Sequence, residues 1–493
     1  MPNTSLNTTA IDFKTLEKII FKYVCRIGRM LLVWLLKEMD RELMRKRDKK
    51  KYRHKGLKKT SIKTILGPVE FKRAIYEHKN EEGQKGYICL LDKHLKLETI
   101  GLMSPNLVEK TIENVTNASY RKAAENVTKL TGQTISHTAA WNLTQEVGNR
   151  ITQEEKRRVK EYKAGKATGK KKVGILFEEA DGLWLSMQGE EKPKGHKRKK
   201  KEIKLAVSYE GWERRSGKKE AYRVKNKKAV AGFMTAKEFG ELRNAKIAQT
   251  YDIAEIDIRV LNGDGASWIK SGLDIEGTHF QLDEFHISKA VTSNIYDKKE
   301  AVRIRRLLKE GQVEKALTKI EQLKYKCDGE KEKIKKLMAL ERYLWNNKEG
   351  IKRYKDRAEI KVPSPPGELH YRSLGTMESN IFNILGYRMK GRKMSWSTSG
   401  ANNMAKILAA KASGELYQAI ESLMTPILPE RFLERFKEKL KQVTNKVRKT
   451  TKAANQYKIH RGGLPLNRQS VTNGRAAVLR MFNDRAATEL IYR

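Results

Sequence analysis

The chain has 493 residues, with 104 Lys plus Arg against 59 Asp plus Glu, a net charge of +45. At about 100–200 residues per domain this length holds two to four domains, and 39% apolar residues exclude a fully disordered chain. So large a cationic surplus would strongly self-repel without a polyanion nearby, and cation–phosphate attraction makes nucleic acid the expected partner, with a merely solvated basic surface as the alternative. Cys25, Cys89 and Cys327 form no CxxC pair, so neither a zinc ribbon nor a disulfide framework is expected. MPNTSLNTTA lacks the charged and apolar regions of a signal peptide, and the apolar stretch Ile19–Leu36 contains Lys22, Arg26 and Arg29. The expectation is a cytoplasmic protein without a membrane span.

Residues 11–47 read as one amphipathic helix, with Phe13, Leu16, Ile20, Val24, Leu31, Trp34, Leu35 and Met39 at mostly three- and four-residue steps. The basic run 45–59 that follows is either a solvated helix end or a phosphate-contacting arm. SIKTIL and VEFKRAIY around Gly67-Pro68 predict a β-hairpin with Val69, Phe71 and Arg73 on one side. Three helices are predicted over 106–117, 119–130 and 136–150. The last two resemble a helix-turn-helix, with Ser136 capping a recognition helix that presents Ser136, His137, Thr138 and Asn142 to DNA. An ordinary three-helix bundle is the alternative.

After a charged connector (156–172), residues 172–188, 202–212, 227–234, 256–268 and 278–286 are strand-like, and 236–251 is helix-like. The order is β-β-β-α-β-β, a mixed sheet. The cations Arg198, Lys199 and Lys200, within PKGHKRKKK (193–201), fall at the tip between the first two strands, as a DNA-backbone contact or a solubilising loop. A Lys/Glu-rich helical insertion (297–358) ends at PSPPGE, and helical periodicity returns over 372–424. The domain division is 1–60, helix and basic arm; 61–103, hairpin; 104–160, helix-turn-helix; 170–296 with 368–424, sheet domain; 297–367, all-α insertion; 425–493, basic tail.

Asp181 interrupts the apolar alternation of the first strand, on the parity of Ile175, Phe177, Leu183 and Leu185. Asp264 follows the fourth strand between Gly263 and Gly265, which permit a tight turn. Two carboxylates at neighbouring strand ends need a divalent cation to sit together, the chemistry of magnesium. Glu378 opens a helix with Ile381, Ile384 and Leu385 facing inward and Arg388 and Lys390 at its end, which makes it the candidate third ligand. Each acid taken singly is also compatible with a simple turn or a structural hydrogen bond. GxGxxGK[ST] is absent, so no nucleotide cofactor is expected.

The strings EADGLWL, KLAVSYEGW, VLNGDGASWIK, FQLDEFHISKA and ESNIFNILGYRMKGRKMSWSTSGANNMAK resemble the bacterial ISLre-type insertion-sequence transposases, a group long catalogued as an uncharacterised protein family. The resemblance runs from about residue 62 to about residue 415. It implies a multidomain α+β protein with a ribonuclease H-like catalytic core of DDE type, an all-α insertion and an N-terminal helix-turn-helix region. It further implies that Asp181, Asp264 and Glu378 hold two Mg2+ or Mn2+ ions for cleavage and joining of DNA strands at element ends. Asp283 and His286 look like the C/D-x-x-H element of related enzymes, with His286 positioning DNA or water; a core-edge histidine is the alternative. The expected partners are double-stranded element ends and target DNA, and a second copy of the chain on DNA, in the bacterial nucleoid. A stacking partner for a flipped base could come from Trp345 or Trp396, but neither is assigned that role, and tryptophans in such positions are more often core residues. A nuclease or resolvase without joining activity, and a domesticated DNA-binding protein, stay open as alternatives.

Overall fold

The computed structural model describes residues 12–79, 84–95, 102–188, 200–215, 221–271, 275–327, 329–421 and 438. Asp12 caps helix α1 (Phe13–Lys46) by accepting from Thr15 N. Strands β1 (Arg53–Thr64) and β2 (Gly67–Lys79) form the expected hairpin, extended by β3 (Lys85–Ile88) and followed by helix α2 (Leu90–Leu95). Val69, Phe71 and Arg73 do share its buried side, where Arg73 is paired with Asp92. Two expectations change here. The second half of the basic run 45–59 is strand, paired with β2 from Arg53 opposite Glu77 to Lys59 opposite Lys72. The residues Phe13, Leu16, Ile20, Val24, Leu31 and Trp34 of α1 are exposed; the helix packs on the hairpin through Leu32, Val33, Leu36, Met39 and Leu43.

Helices α3 (Pro105–Asn117), α4 (Tyr120–Thr131) and α5 (His137–Lys163) begin at the capping serines Ser104, Ser119 and Ser136. Gly132 ends α4 at φ 67°, a left-handed conformation that suits glycine. Helix α5 runs on through half of the expected connector.

The main sheet contains β4 (Lys171–Met187) and β5 (Lys200–Tyr209). Strands β6 (Trp212–Arg214) and β7 (Tyr222–Val224) leave it for a small side sheet. The main sheet resumes with β8 (Lys228–Gly232), helix α6 (Ala236–Ala248), β9 (Tyr251–Gly263), helix α7 (Ser267–Lys270) and β10 (Thr278–Leu282). Its order is β10-β9-β4-β5-β8; β4–β5 and β5–β8 are antiparallel, while β4–β9 and β9–β10 are parallel. This is the expected β-β-β-α-β-β succession, and two neighbouring parallel strands therefore end side by side.

Helix α8 (Glu284–Asn294) leads into α9 (Lys298–Lys309), α10 (Val313–Lys326), α11 (Lys331–Trp345) and α12 (Lys348–Ile351). They share a core of their own, including Ile304, Ile320, Leu340 and Leu344. The insertion is thus a small bundle, and its Val302 is exposed. Strand β11 (Leu369–His370) joins β6 and β7. One continuous helical segment follows: α13 (Met377–Asn380), a π-helical turn (Ile381–Gly386) and α14 (Tyr387–Met389). Strand β12 (Ser395–Trp396) pairs with the end of β4, and α15 (Thr398–Ala412) and α16 (Leu416–Glu421) complete the description.

Strand β4 divides the interior. Ile175, Phe177, Leu183 and Leu185 pack with Ile381, Leu385, Met404 and Leu408, whereas Ala180 packs with Phe239 and Leu242 of α6. Val115, Ala123 and Ala140 belong to the first of these cores, so α3–α5 share the interior of the sheet. The architecture is a mixed α/β protein with several sheets.

Candidate active site

Asp181 comes from the middle of β4 and Asp264 from the residue after β9. Parallel pairing sets Glu179 against Asn262, so the two acids emerge just beyond the last paired residues. Gly265 takes φ 90°, and a Cβ there would lie 2.5 Å from Asn347 Oδ1, which explains the glycine after Asp264. Asp264 Oδ1 accepts from Ala266 N at 2.9 Å, and Tyr343 donates to its carbonyl at 2.9 Å.

One donor atom each from Asp181, Asp264 and His286 lies within 4.8 Å of the others. Burial, then the charges of Asp264 and Glu378, push the Asp181 carboxyl up to about 6, against relief from the Gly182 N–H and His286. Two carboxylate oxygens and an imidazole nitrogen so close together, with the Asp181 charge penalised by burial, suit a divalent cation.

His286 holds its place through Asp283, the cap of α8. Asp283 Oδ1 accepts from Phe285 N at 2.9 Å and His286 N at 3.1 Å, and faces His286 Nδ1 at 3.3 Å. This contact raises the imidazole above its ordinary value despite burial, with help from Asp181 and Asp264. Burial raises Asp283, but hydrogen bonds from His286 and Asn262 outweigh it and leave the carboxyl low. A proton on Nδ1 directed at Asp283 leaves the Nε2 lone pair free to ligate a cation.

Glu378 stands apart from this cluster. It is exposed at the second position of α13, beside a cavity of about 510 Å³ lined also by Ser119, Leu183, Phe382 and Lys390. Its charge still reaches Asp181. Ile381, Ile384 and Leu385 pack inward as expected.

A residue absent from the sequence reading organises the site. Glu179, on the Asp181 side of β4, is fully buried. Its carboxylate accepts from Gly375 N at 3.1 Å, Thr376 N at 3.2 Å, Thr376 Oγ1 at 2.6 Å and Met377 N at 3.1 Å. Tyr209 O–H and Asn262 Nδ2 (3.1 Å) also donate to it, and Asn262 Nδ2 reaches Asp283 Oδ2 at 3.0 Å. One buried acid therefore fixes the start of the Glu378 helix to the strand that carries Asp181, and Asn262 extends the network to the cap that orients His286. Its signal was an acid two residues before Asp181 on a core parity.

Among the expected DNA contacts, Ser136, His137, Thr138 and Asn142 are all exposed at the start of α5, and Lys390 and Lys200 are solvent-facing. Arg198 and Lys199 lie outside the described residues. Arg388 requires correction: it is buried, donates from Nε to Val115 O at 2.6 Å and sits 5.2 Å from the Trp396 ring centroid. Burial lowers its pKa, and a guanidinium so enclosed is not a DNA contact. Trp396 is core, donating to Met389 O at 2.8 Å, whereas Trp345 is exposed with Lys348 Nζ 4.3 Å from its ring centroid.

No described helix is long and apolar enough to cross a membrane. The chain is 29% identical over 401 residues to a UPF0236 protein of Caldanaerobacter subterraneus subsp. tengcongensis, covering 79% of this chain and 76% of the relative, whose name joins eleven locus numbers of that genome. A second such protein of the same organism, named for four loci, is 27% identical over 79% of this chain and 76% of its own length. A UPF0236 protein of Streptococcus gallolyticus, named for its position in the vanSb 3' region, is 26% identical over 82% of this chain and 84% of its own. Residues 6–424 match a single family model, described as an uncharacterised protein family, and the chain therefore belongs to UPF0236.

Proposed function

We propose that the protein is a DDE-type DNA transposase that cuts and joins strands at the ends of its own element. The observation that carries this reading is the convergence of Asp181 and Asp264 at the ends of adjacent parallel strands, with Glu378 held nearby on a buried tether. The strand order, three antiparallel strands followed by two parallel ones, supports the reading of a ribonuclease H-like core. Relatives named for eleven and four loci of one genome fit an element that copies itself.

Asp181, Asp264 and His286 would hold a divalent cation, and Glu378 stands near enough for its charge to act on Asp181. Bound there, Mg2+ or Mn2+ supplies activation of an attacking oxygen and charge neutralisation at the scissile phosphate. Asp283 keeps His286 oriented, and Glu179 keeps Glu378 at a fixed height over the sheet. His137 and Asn142, exposed at the start of α5, would read base edges, and the cationic surplus would supply phosphate affinity. Transesterification conserves phosphodiester bonds, so the chain needs no nucleotide to drive it.

The test is a cleavage and strand-transfer assay with purified protein, Mg2+ or Mn2+, and a duplex containing the end of its own element. Asp181→Asn, Asp264→Asn and Glu378→Gln should each abolish cleavage while gel-shift affinity for the end holds. Cleavage without joining would make the protein a nuclease of the same architecture. Full cleavage by the Asp181 and Asp264 variants would refute the site.

A further inference from the structure

Helix α1 packs with one side only. Leu32, Val33, Leu36, Met39 and Leu43 cover the hairpin, Arg29 Nη1 donates to Leu66 O at 2.7 Å, and buried Asp40 accepts from Ala74 N at 2.8 Å. The opposite side carries Phe13, Leu16, Ile20, Tyr23, Ile27, Met30 and Trp34, every one exposed. Their spacing alternates three and four residues without a break. These are the a and d positions of three heptads, and no charged residue interrupts them. Val24 and Leu31, also exposed, flank the seam.

We infer that this stripe is a dimerisation seam, through which α1 forms a two-stranded coiled coil with α1 of a second copy of the chain. Three arguments select that occupant. A strict 3.5-residue repeat keeps its register only along another helix, whereas a sheet or lipid surface is met by a broader 3.6-residue face. A two-fold axis sets the same seven knobs against one another, so the seam is complementary to itself. The area also suffices: 22 residues from Phe13 to Trp34 span about 33 Å, and seven large side chains per helix bury roughly 1,400 Å² in total, the size of a stable interface. This inference does not depend on the enzymatic reading, since its readout is association without DNA.

The experiment is sedimentation of the full chain at about 10 μM in 0.5 M salt, free of nucleic acid. A dimer is expected. The double variant Ile20→Glu/Ile27→Glu alters two exposed a positions outside the protein's own core. It should weaken dimerisation at least tenfold with an unchanged far-ultraviolet spectrum, and Ile20→Leu/Ile27→Leu should dimerise as the parent does. A monomeric parent chain, with the stripe free or covered by its own residues 426–493, overturns the proposal. So does a glutamate variant that dimerises like the parent. Co-sedimentation of a monomeric chain with phosphatidylcholine–phosphatidylglycerol vesicles, lost in the glutamate variant, would assign the stripe to a membrane surface instead.

Discussion

Replacing Glu179 with glutamine should uncouple the Glu378 helix from the sheet while leaving the chain otherwise folded. Six donors converge on the two carboxylate oxygens: Tyr209, Asn262, Gly375 N, Thr376 N, Thr376 Oγ1 and Met377 N. An amide keeps one acceptor oxygen and turns an NH2 toward the rest, so about three donors lose their partner. At about 1–3 kcal/mol for each unsatisfied buried donor, the cost is about 3–9 kcal/mol, concentrated on residues 375–377. The adjacent residue gives the control. Glu178 points to the other side of β4, where it is paired with Arg243 and Arg259, and breaking that buried cluster with Glu178→Gln costs about 3–5 kcal/mol. The two variants lose similar stability in urea, but only Glu179→Gln should speed hydrogen exchange at Gly375, Thr376 and Met377. At a temperature where both are folded, Glu179→Gln should cleave DNA about 100-fold more slowly, the scale of a 1 Å misplacement, and Glu178→Gln should stay within a few-fold of the parent. Parental exchange at those three amides in Glu179→Gln would refute the tether. Equal cleavage by both variants would detach it from catalysis.

Asp181→Asn should stabilise the metal-free protein above pH 6. The native state raises this carboxyl from 3.8 to about 6, so parent stability falls as pH rises through that interval, by at most about 3 kcal/mol. Melting curves at pH 4 and pH 7.5 check the sign, and a destabilised variant at pH 7.5 would contradict it. Because cation binding needs the carboxylate, the rise in Tm on adding Mn2+ should be small at pH 5 and larger at pH 7.5; a pH-independent rise would place the ion elsewhere. Asn142→Ala should cost about 1–3 kcal/mol on the element end in a gel shift and little on random DNA, and equal losses would remove α5 as a recognition helix. Leu340→Ala, in the insertion core, should cost about 2–5 kcal/mol in urea, against almost nothing for exposed Val302→Ala.

The sheet and its acids were legible because their signals are local. Alternation along β4 set Asp181 on a core parity, and the Gly-Asp-Gly string after an apolar run marked the end of β9. The Asp283-to-His286 spacing was equally readable, since a cap and the residue three positions on meet by helix geometry. Glu178 and Glu179 were harder to read. Consecutive acids in a strand resemble a solvated edge, and only the tertiary structure shows Arg243 and Arg259 on one side and the start of α13 on the other. Arg388 misled for a related reason: it ends a helix in a Lys/Arg-rich string, and its partner, Val115 O, lies 273 residues away. The side sheet of β6, β7 and β11 escaped notice because strands of two or three residues have no period to detect. Periodicity found α1 but chose the wrong side as buried, since both of its sides are apolar.

The buried Arg388 has a mechanical meaning. Its guanidinium bolts the Val115 carbonyl, in the last turn of α3, to the segment that follows Glu378. Close by, Lys411 Nζ donates to Thr116 Oγ1 at 2.7 Å, and Asn403 Nδ2 to Gln145 Oε1 at 2.8 Å. With Val115, Ala123 and Ala140 in the same core as the sheet, α5 cannot swing against β4 without tearing that core open. Under the proposed function, the protein would then act as a ruler. The interval between the bases read by α5 and the phosphate that is cut would be a constant of the fold, and lengthening the DNA between them by a few base pairs would abolish cleavage rather than move it.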